Sequence, residues 1–192
     1  EEPAIREMIT HGGFRQAHAV FEFGLGTGRL AEKLLGQYLP SYCLYQGVDF
    51  SQAMVALSRQ RLEPWGHRAL VQCTDGGVTL PVGDGTYDRF VATYVLEILT
   101  EEQIRDLLIE ARRILTTDGA LCLVNLTFGE GALTKLVSSA WQWLHRVRPL
   151  WVGGCRPIRL KKYLLEHNWR IVYRYPVTAF GITSEVIIAK PR

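Results

Sequence analysis

With 192 residues, 21% of them charged and 47% hydrophobic, the chain has room for one domain with a sizeable core and none for two full-sized ones. The formal net charge is only +3, and the arginines are scattered apart from a concentration between Arg146 and Lys162, which argues against a nucleic-acid binder with a dense basic face. No apolar run reaches the roughly 18 to 20 residues of a membrane span and the N-terminus lacks a signal-peptide pattern, so a cytoplasmic protein with no integral membrane segment is expected.

The chain opens at Glu1 inside a helical pattern, and natural residues are expected upstream. Ala19 to Phe23 reads as a first strand interrupted by Glu22; a glycine-rich turn follows, then a helix from Arg29 to Tyr38 with Leu30, Leu34 and Leu35 on one face. Leu44 to Val48 is the second strand, closed by Asp49, and Ser51 caps a helix from Gln52 to Leu62. Ala69 to Cys73 and Tyr87 to Thr93 read as the third and fourth strands. The helix from Glu101 to Leu115 opens with acids and closes with Arg112 and Arg113, as the helix dipole favours. Thr117-Asp118-Gly119 reads as a turn before a fifth strand, Ala120 to Asn125. Apolar residues recur at helical steps from Leu133 to Val147, and an irregular stretch with Trp151, Gly153, Gly154 and Arg156 follows. The runs Arg170 to Val177 and Ser184 to Ala189 read as an antiparallel hairpin. Strands alternating with helices imply a parallel sheet covered on both faces.

The cysteines Cys43, Cys73, Cys122 and Cys155 form no Cys-x-x-Cys pair, and His11, His18, His67, His145 and His167 show no metal-ligand spacing, so no metal site is expected. Three cysteines fall in strand-like runs, where a buried thiol is expected.

The turn Phe23-Gly24-Leu25-Gly26-Thr27-Gly28-Arg29 carries the chemistry. Its glycines allow a sharp reversal and leave no Cβ between backbone and ligand. A dinucleotide fingerprint would need a small residue where Arg29 stands, and no Gly-Lys-Ser/Thr follows, so neither a dinucleotide nor a phosphate loop is indicated. Asp49 then ends the second strand near the offset, about 20 residues, at which an acid accepts ribose hydroxyls. Asp75 follows the third strand, where an adenine would lie.

On Glu22-Phe23-Gly24-Leu25-Gly26-Thr27-Gly28, Gly47-Val48-Asp49-Phe50-Ser51, Asp75 with Leu80-Pro81 and Tyr87-Asp88, and Leu115 to Gly119, the chain resembles the Rossmann-like S-adenosylmethionine-dependent methyltransferases, the broad type that includes ubiquinone/menaquinone-biosynthesis and phospholipid N-methyltransferases. The resemblance implies an α/β fold with a mostly parallel seven-stranded sheet, a C-terminal antiparallel hairpin and helices on both faces, in a single domain over residues 1–192. It implies S-adenosylmethionine as cofactor, with S-adenosylhomocysteine as product. Gly24, Gly26 and Gly28 would contact the methionine part and ribose, and Glu22 would orient the turn and approach the amino group. Asp49 would hold the ribose hydroxyls, Asp75 and the Gly76 amide would read the adenine, Phe50 would lie on its face, and Thr93 would sit beneath the sulfonium. Residues 1–18 would form a lid helix.

Methyl transfer requires no nucleophilic side chain, and a base only where the acceptor must lose a proton. Glu97 is the candidate for that base, against a capping or ion-pairing role. Residues 129–168 are read as a cap over a small hydrophobic or lipid-like acceptor, with Trp151 and Arg156 as substrate-binding residues; peripheral membrane contact is a variant. No Asn-Pro-Pro-Tyr motif follows the fourth strand, which argues against nucleic-acid adenine methylation. The alternatives are a nicotinamide-dependent reductase, disfavoured by Arg29 and the hairpin, and a catalytically silent S-adenosylmethionine-binding or partner-binding protein.

Overall fold

A computed structural model of the chain describes residues 1–128, 156–179 and 182–192. Its seven strands are β1 (Ala19–Phe23), β2 (Leu44–Asp49), β3 (Ala69–Cys73), β4 (Tyr87–Thr93), β5 (Leu115–Thr127), β6 (Trp169–Ala179) and β7 (Ile182–Pro191), in the order β3-β2-β1-β4-β5-β7-β6. Strands β1 to β5 are mutually parallel, and β7 runs antiparallel to both β5 and β6. The chain winds outward from β1 to β3, then returns to place β4 on the other side of β1. Such a reversal opens a crevice at the carboxyl ends of β1 and β4.

Alternate residues of each strand supply the two cores, as the two-residue period demands. One face carries Phe21, Phe90, Leu121 and Leu123 against α4 (Glu101–Ile114) and α5 (Leu160–Glu166), through Ile104, Leu107, Leu108, Leu160 and Leu164. The other carries Val20, Tyr45, Val91 and Cys122 against α1 (Glu2–His11), α2 (Arg29–Gln37) and α3 (Gln52–Leu62). The caps are local: Ser51 Oγ accepts from the Met54 amide, and Thr100 with Gln103 forms a reciprocal capping box at α4. Helix α1 is fastened at its end, because Arg89 donates to the carbonyls of Gly12 and Gly13 at 2.6 and 2.7 Å. Tyr173 also donates to Glu7 at 2.8 Å and stacks on His11 at 3.8 Å.

Two expectations need correction. Strand β5 starts at Leu115, not Ala120: Leu115 pairs with Tyr87 and Ala120 with Arg89, so the expected turn at 117–119 is a bulge within the strand. Cys73 is exposed, while Cys43 and Cys122 are buried, because β3 is an edge strand. The helix expected from Leu133 to Val147, the cap tryptophan Trp151, and Cys155 lie outside the described residues. No helix among the described residues is long and apolar enough to cross a membrane.

Candidate active site

The turn between β1 and α2 is pinned to the end of β2. The amides of Gly24 and Leu25 donate to the Val48 carbonyl at 2.9 and 3.0 Å. The Gly26 amide donates to Oδ2 of Asp49 at 2.8 Å, and the Ser51 amide to its Oδ1 at 2.9 Å. Gly24 has φ +75°, and a Cβ there would stand 2.7 Å from Cγ2 of Val95, so only glycine fits. Gly26 has φ +56°, and a Cβ there would meet nothing within 4 Å, leaving open space above the turn. Gly28 differs from both: its Cβ would press on Ser58 of α3 at 3.0 Å, which gives it a packing role between helices. The bulky Leu25 is accommodated because Gly47 on β2 has no side chain where Leu25 packs.

Two clefts meet over this turn and share Gly24, Gly26, Thr93 and Tyr94. The first, about 490 Å³, runs past Asp49, Phe50 and Gly76 on one side and Val95, Ile98 and Leu99 on the other. The second, about 460 Å³, runs past Glu22 toward Glu2 and Ile5 of α1 and Lys33 of α2. Both volumes suit a small-molecule ligand. Phe50 is 61% exposed at the rim, an uncommon setting for a phenylalanine. Asp75 is exposed and accepts from the Gly77 amide at 2.8 Å; its neighbours Thr74 and Gly76 line the first cleft, and its own side chain does not.

Glu22 is 1% exposed and accepts a hydrogen bond at 2.6 Å from the hydroxyl of Tyr45, which is itself buried. Burial pushes the Glu22 carboxyl up to about 8; the Tyr45 bond opposes this shift, and the negative Asp49 adds to it. Burial thus favours the neutral form of the carboxyl at the glycine turn.

The sequence reading places Glu97 near the methyl position. In the structure it is 1% exposed, on a short 3₁₀ turn (Leu96–Ile98), and it lines neither cleft. Its Oε1 accepts from the Leu126 amide, and its Oε2 is buried without a partner among the described residues. Burial raises this carboxyl to about 7. The cause is topological: β4 leaves the sheet at Thr93 while β5 continues to Thr127, so the Leu126 amide needs an acceptor, and Glu97 supplies it.

Arg156 donates to the Leu99 carbonyl at 2.8 Å, which ties the chain just after the undescribed segment to a wall of the first cleft. His11 and His18 line neither cleft; His18 instead lies 3.3 Å from Asp88 at the amino ends of β1 and β4, the opposite end of these strands from the clefts.

Sequence reasoning missed Tyr94 and Tyr45. Tyr94 has φ +53°, a conformation that a bulky residue rarely adopts. Its amide donates to Val124 and its hydroxyl lies 3.0 Å from Ser184 Oγ, so both ends are held where the two clefts meet. Its position directly after the fourth strand, at the point where the strand order reverses, was the available signal. For Tyr45 no linear signal existed, since it reads as an ordinary strand residue.

A sequence profile described as "Methyltransferase domain" matches residues 20–119, more than half of the chain. Over 131 residues the chain is 29% identical to an uncharacterized methyltransferase of Bacillus cytotoxicus, covering 64% of this chain and 54% of that protein. The chain spans about half the length of the curated relatives it matches. Among solved structures it is similar to the YcgJ protein of Bacillus subtilis, with a TM-score of 0.77 and 15% identity over 100% of this chain and 99% of that one. It is also similar to the [4+2]-cyclase SpnF, with a TM-score of 0.78 and 15% identity over 99% of this chain and 81% of that one. With its β3-β2-β1-β4-β5-β7-β6 sheet and its glycine turn fastened to Asp49, the chain belongs to the methyltransferase-domain family and has the Rossmann-like fold of S-adenosylmethionine-dependent methyltransferases.

Proposed function

We propose that this chain binds S-adenosylmethionine across the two clefts and transfers its methyl group to a small hydrophobic or lipid-like acceptor. The observation that carries the reading is the fastening of Gly26 to Asp49 beneath open space at the carboxyl ends of β1 and β2. The residues fit such a ligand. The missing Cβ of Gly26 leaves room for it, and each Asp49 oxygen accepts one amide bond and keeps lone-pair capacity for a ribose hydroxyl. Phe50 offers an exposed ring for a base, the Gly76 amide stands beside it, and Glu22 offers a carboxyl for an ammonium group.

When bound, the donor supplies an electrophilic methyl on a sulfonium that leaves without covalent help. The protein's part is alignment, for which Thr93 and the doubly held Tyr94 stand at the junction of the clefts. Val95, Ile98 and Leu99 make one wall of the first cleft apolar, which supports an apolar acceptor. Trp151 and Arg156 are assigned to the acceptor cap, and the Arg156 bond to Leu99 supports that placement for Arg156. For Glu97 the capping of Leu126 supports a structural role over that of general base.

The test is calorimetric titration with S-adenosylmethionine, followed by labelled-methyl transfer to quinone precursors, phospholipid amines and small aromatic compounds. Folded protein that binds no S-adenosylmethionine overturns the reading. A second reading, a protein that binds the cofactor without transferring its methyl group, is favoured by one observation: a chain of this same fold is a cyclase by name. Tight binding with no transfer to any acceptor class would select it.

A further inference from the structure

Glu22 is paired with Tyr45, a buried residue to which the methyl-transfer reading gives no part. In the β1–β2 register Tyr45 lies opposite Val20 and Gly47 opposite Glu22, so the tyrosine side chain lies on the same sheet face as Glu22, two residues back along its neighbour. Its hydroxyl donates to Oε2 at 2.6 Å, and this is the one hydrogen bond to the Glu22 carboxyl among the described residues. Burial and the adjacent carboxyl keep the Tyr45 hydroxyl protonated far above neutral pH, so it remains the donor. Glu22 also lines the second cleft.

The surroundings favour a cation at that point. From β2 Asp49 faces Glu22, and Glu1, which precedes α1, and Glu2, which begins it, line the same cleft. On α2, Lys33 is engaged by Glu2, and Arg29 stands at the helix start; Tyr94 closes the cleft from the end of β4. We propose that Tyr45 is a positioning residue for the donor's amino group: it holds one oxygen of Glu22, directs the other into the second cleft, and allows an incoming ammonium to displace the Glu22 proton to solvent. This inference rests on the cofactor reading above. The one bond that breaks is the carboxyl O–H: its proton passes to a buffer base, which is protonated in turn, as the carboxylate forms an ion pair with the ammonium.

The probe is S-adenosylhomocysteine, which keeps the amino group and lacks the sulfonium charge. Calorimetry at pH 7 in two buffers of different ionisation enthalpy counts the protons exchanged. Because the free Glu22 carboxyl is raised to about 8, parent protein is expected to release close to one proton more than Glu22→Gln. Parent affinity should rise about tenfold per pH unit below that value and then level off, a slope absent from Glu22→Gln. Tyr45→Phe removes a bond that lowers the Glu22 pKa. It should therefore bind more weakly at pH 7 and recover toward pH 9.

Equal proton counts for parent and Glu22→Gln, both binding, overturn the inference and leave the cofactor site standing. A loss in Tyr45→Phe that is the same at pH 7 and pH 9 reduces Tyr45 to packing and also overturns it. Absence of binding by folded parent protein defeats the site reading itself. If Tyr45→Phe fails to fold by circular dichroism, the comparison of parent with Glu22→Gln still decides the proton release on which the proposal depends.

Discussion

Oδ2 of Asp49 accepts the amide hydrogen of Gly26 at 2.8 Å, so one carboxylate both shapes the glycine turn and borders the first cleft. Asp49→Ala removes the proposed ribose acceptor and the clamp on Gly26 together. The expected outcome is a loss of S-adenosylmethionine affinity of about 1.5 to 3 kcal/mol, with a folded protein. Calorimetric titration alongside a melting curve checks it; unchanged affinity in the folded variant removes the ribose assignment.

Gly24 and Gly26 are expected to separate stability from binding. Both have positive φ, so alanine costs about 1 to 2 kcal/mol at either position. Gly24→Ala adds a collision with Val95, so thermal stability should fall further there. Gly26→Ala meets no protein atom, and its methyl enters the space proposed for the ligand. Its affinity should fall more than its melting temperature does. Equal losses of stability in the two variants, with equal affinities, would contradict this division.

Glu97 is expected to reveal itself in the pH dependence of stability. Its carboxyl is raised from 4.5 to about 7 in the folded state, so the folded chain holds the proton more tightly than the unfolded one. The corresponding stability is fully present below pH 4.5 and is lost as pH rises to about 7, on the order of 3 kcal/mol. Glu97→Gln keeps an oxygen for the Leu126 amide and cannot ionise. It should gain stability relative to the parent between pH 5 and pH 8, while turnover stays near the parental level. Denaturant unfolding at several pH values measures the difference. A pH-independent difference, together with lost turnover, would return Glu97 to the role of base.

Arg156 and Trp151 are expected to affect the acceptor side alone. Arg156→Ala frees the Leu99 carbonyl and loosens the chain around Arg156 within the proposed cap, residues 129–168. Turnover should drop while S-adenosylmethionine affinity is kept, and Trp151→Ala should do the same. Sedimentation with anionic liposomes asks separately about lipid contact. Two fully active variants that leave the liposomes in solution would remove the cap assignment.

Much of the fold was legible because its signals are local. The two-residue and helical periods mark the strands and helices, Ser51 marks the start of α3, and the glycines after β1 mark a turn that no other residue could make at Gly24. Asp49 was legible because strand ends at a reversal of strand order are where ligands bind, and its position follows from counting along the chain. What only the tertiary structure decided are relationships between strands. Tyr45 meets Glu22 through the β1–β2 register, which no pattern within either strand specifies. Gly28 matters through Ser58 on another helix. Glu97 turns inward because β5 outruns β4 and leaves the Leu126 amide without a strand partner. Backbone conformation is set by neighbours in sequence, whereas pairing register and the burial of polar groups are set by whole elements packing together, which placed the ionisable groups of this site.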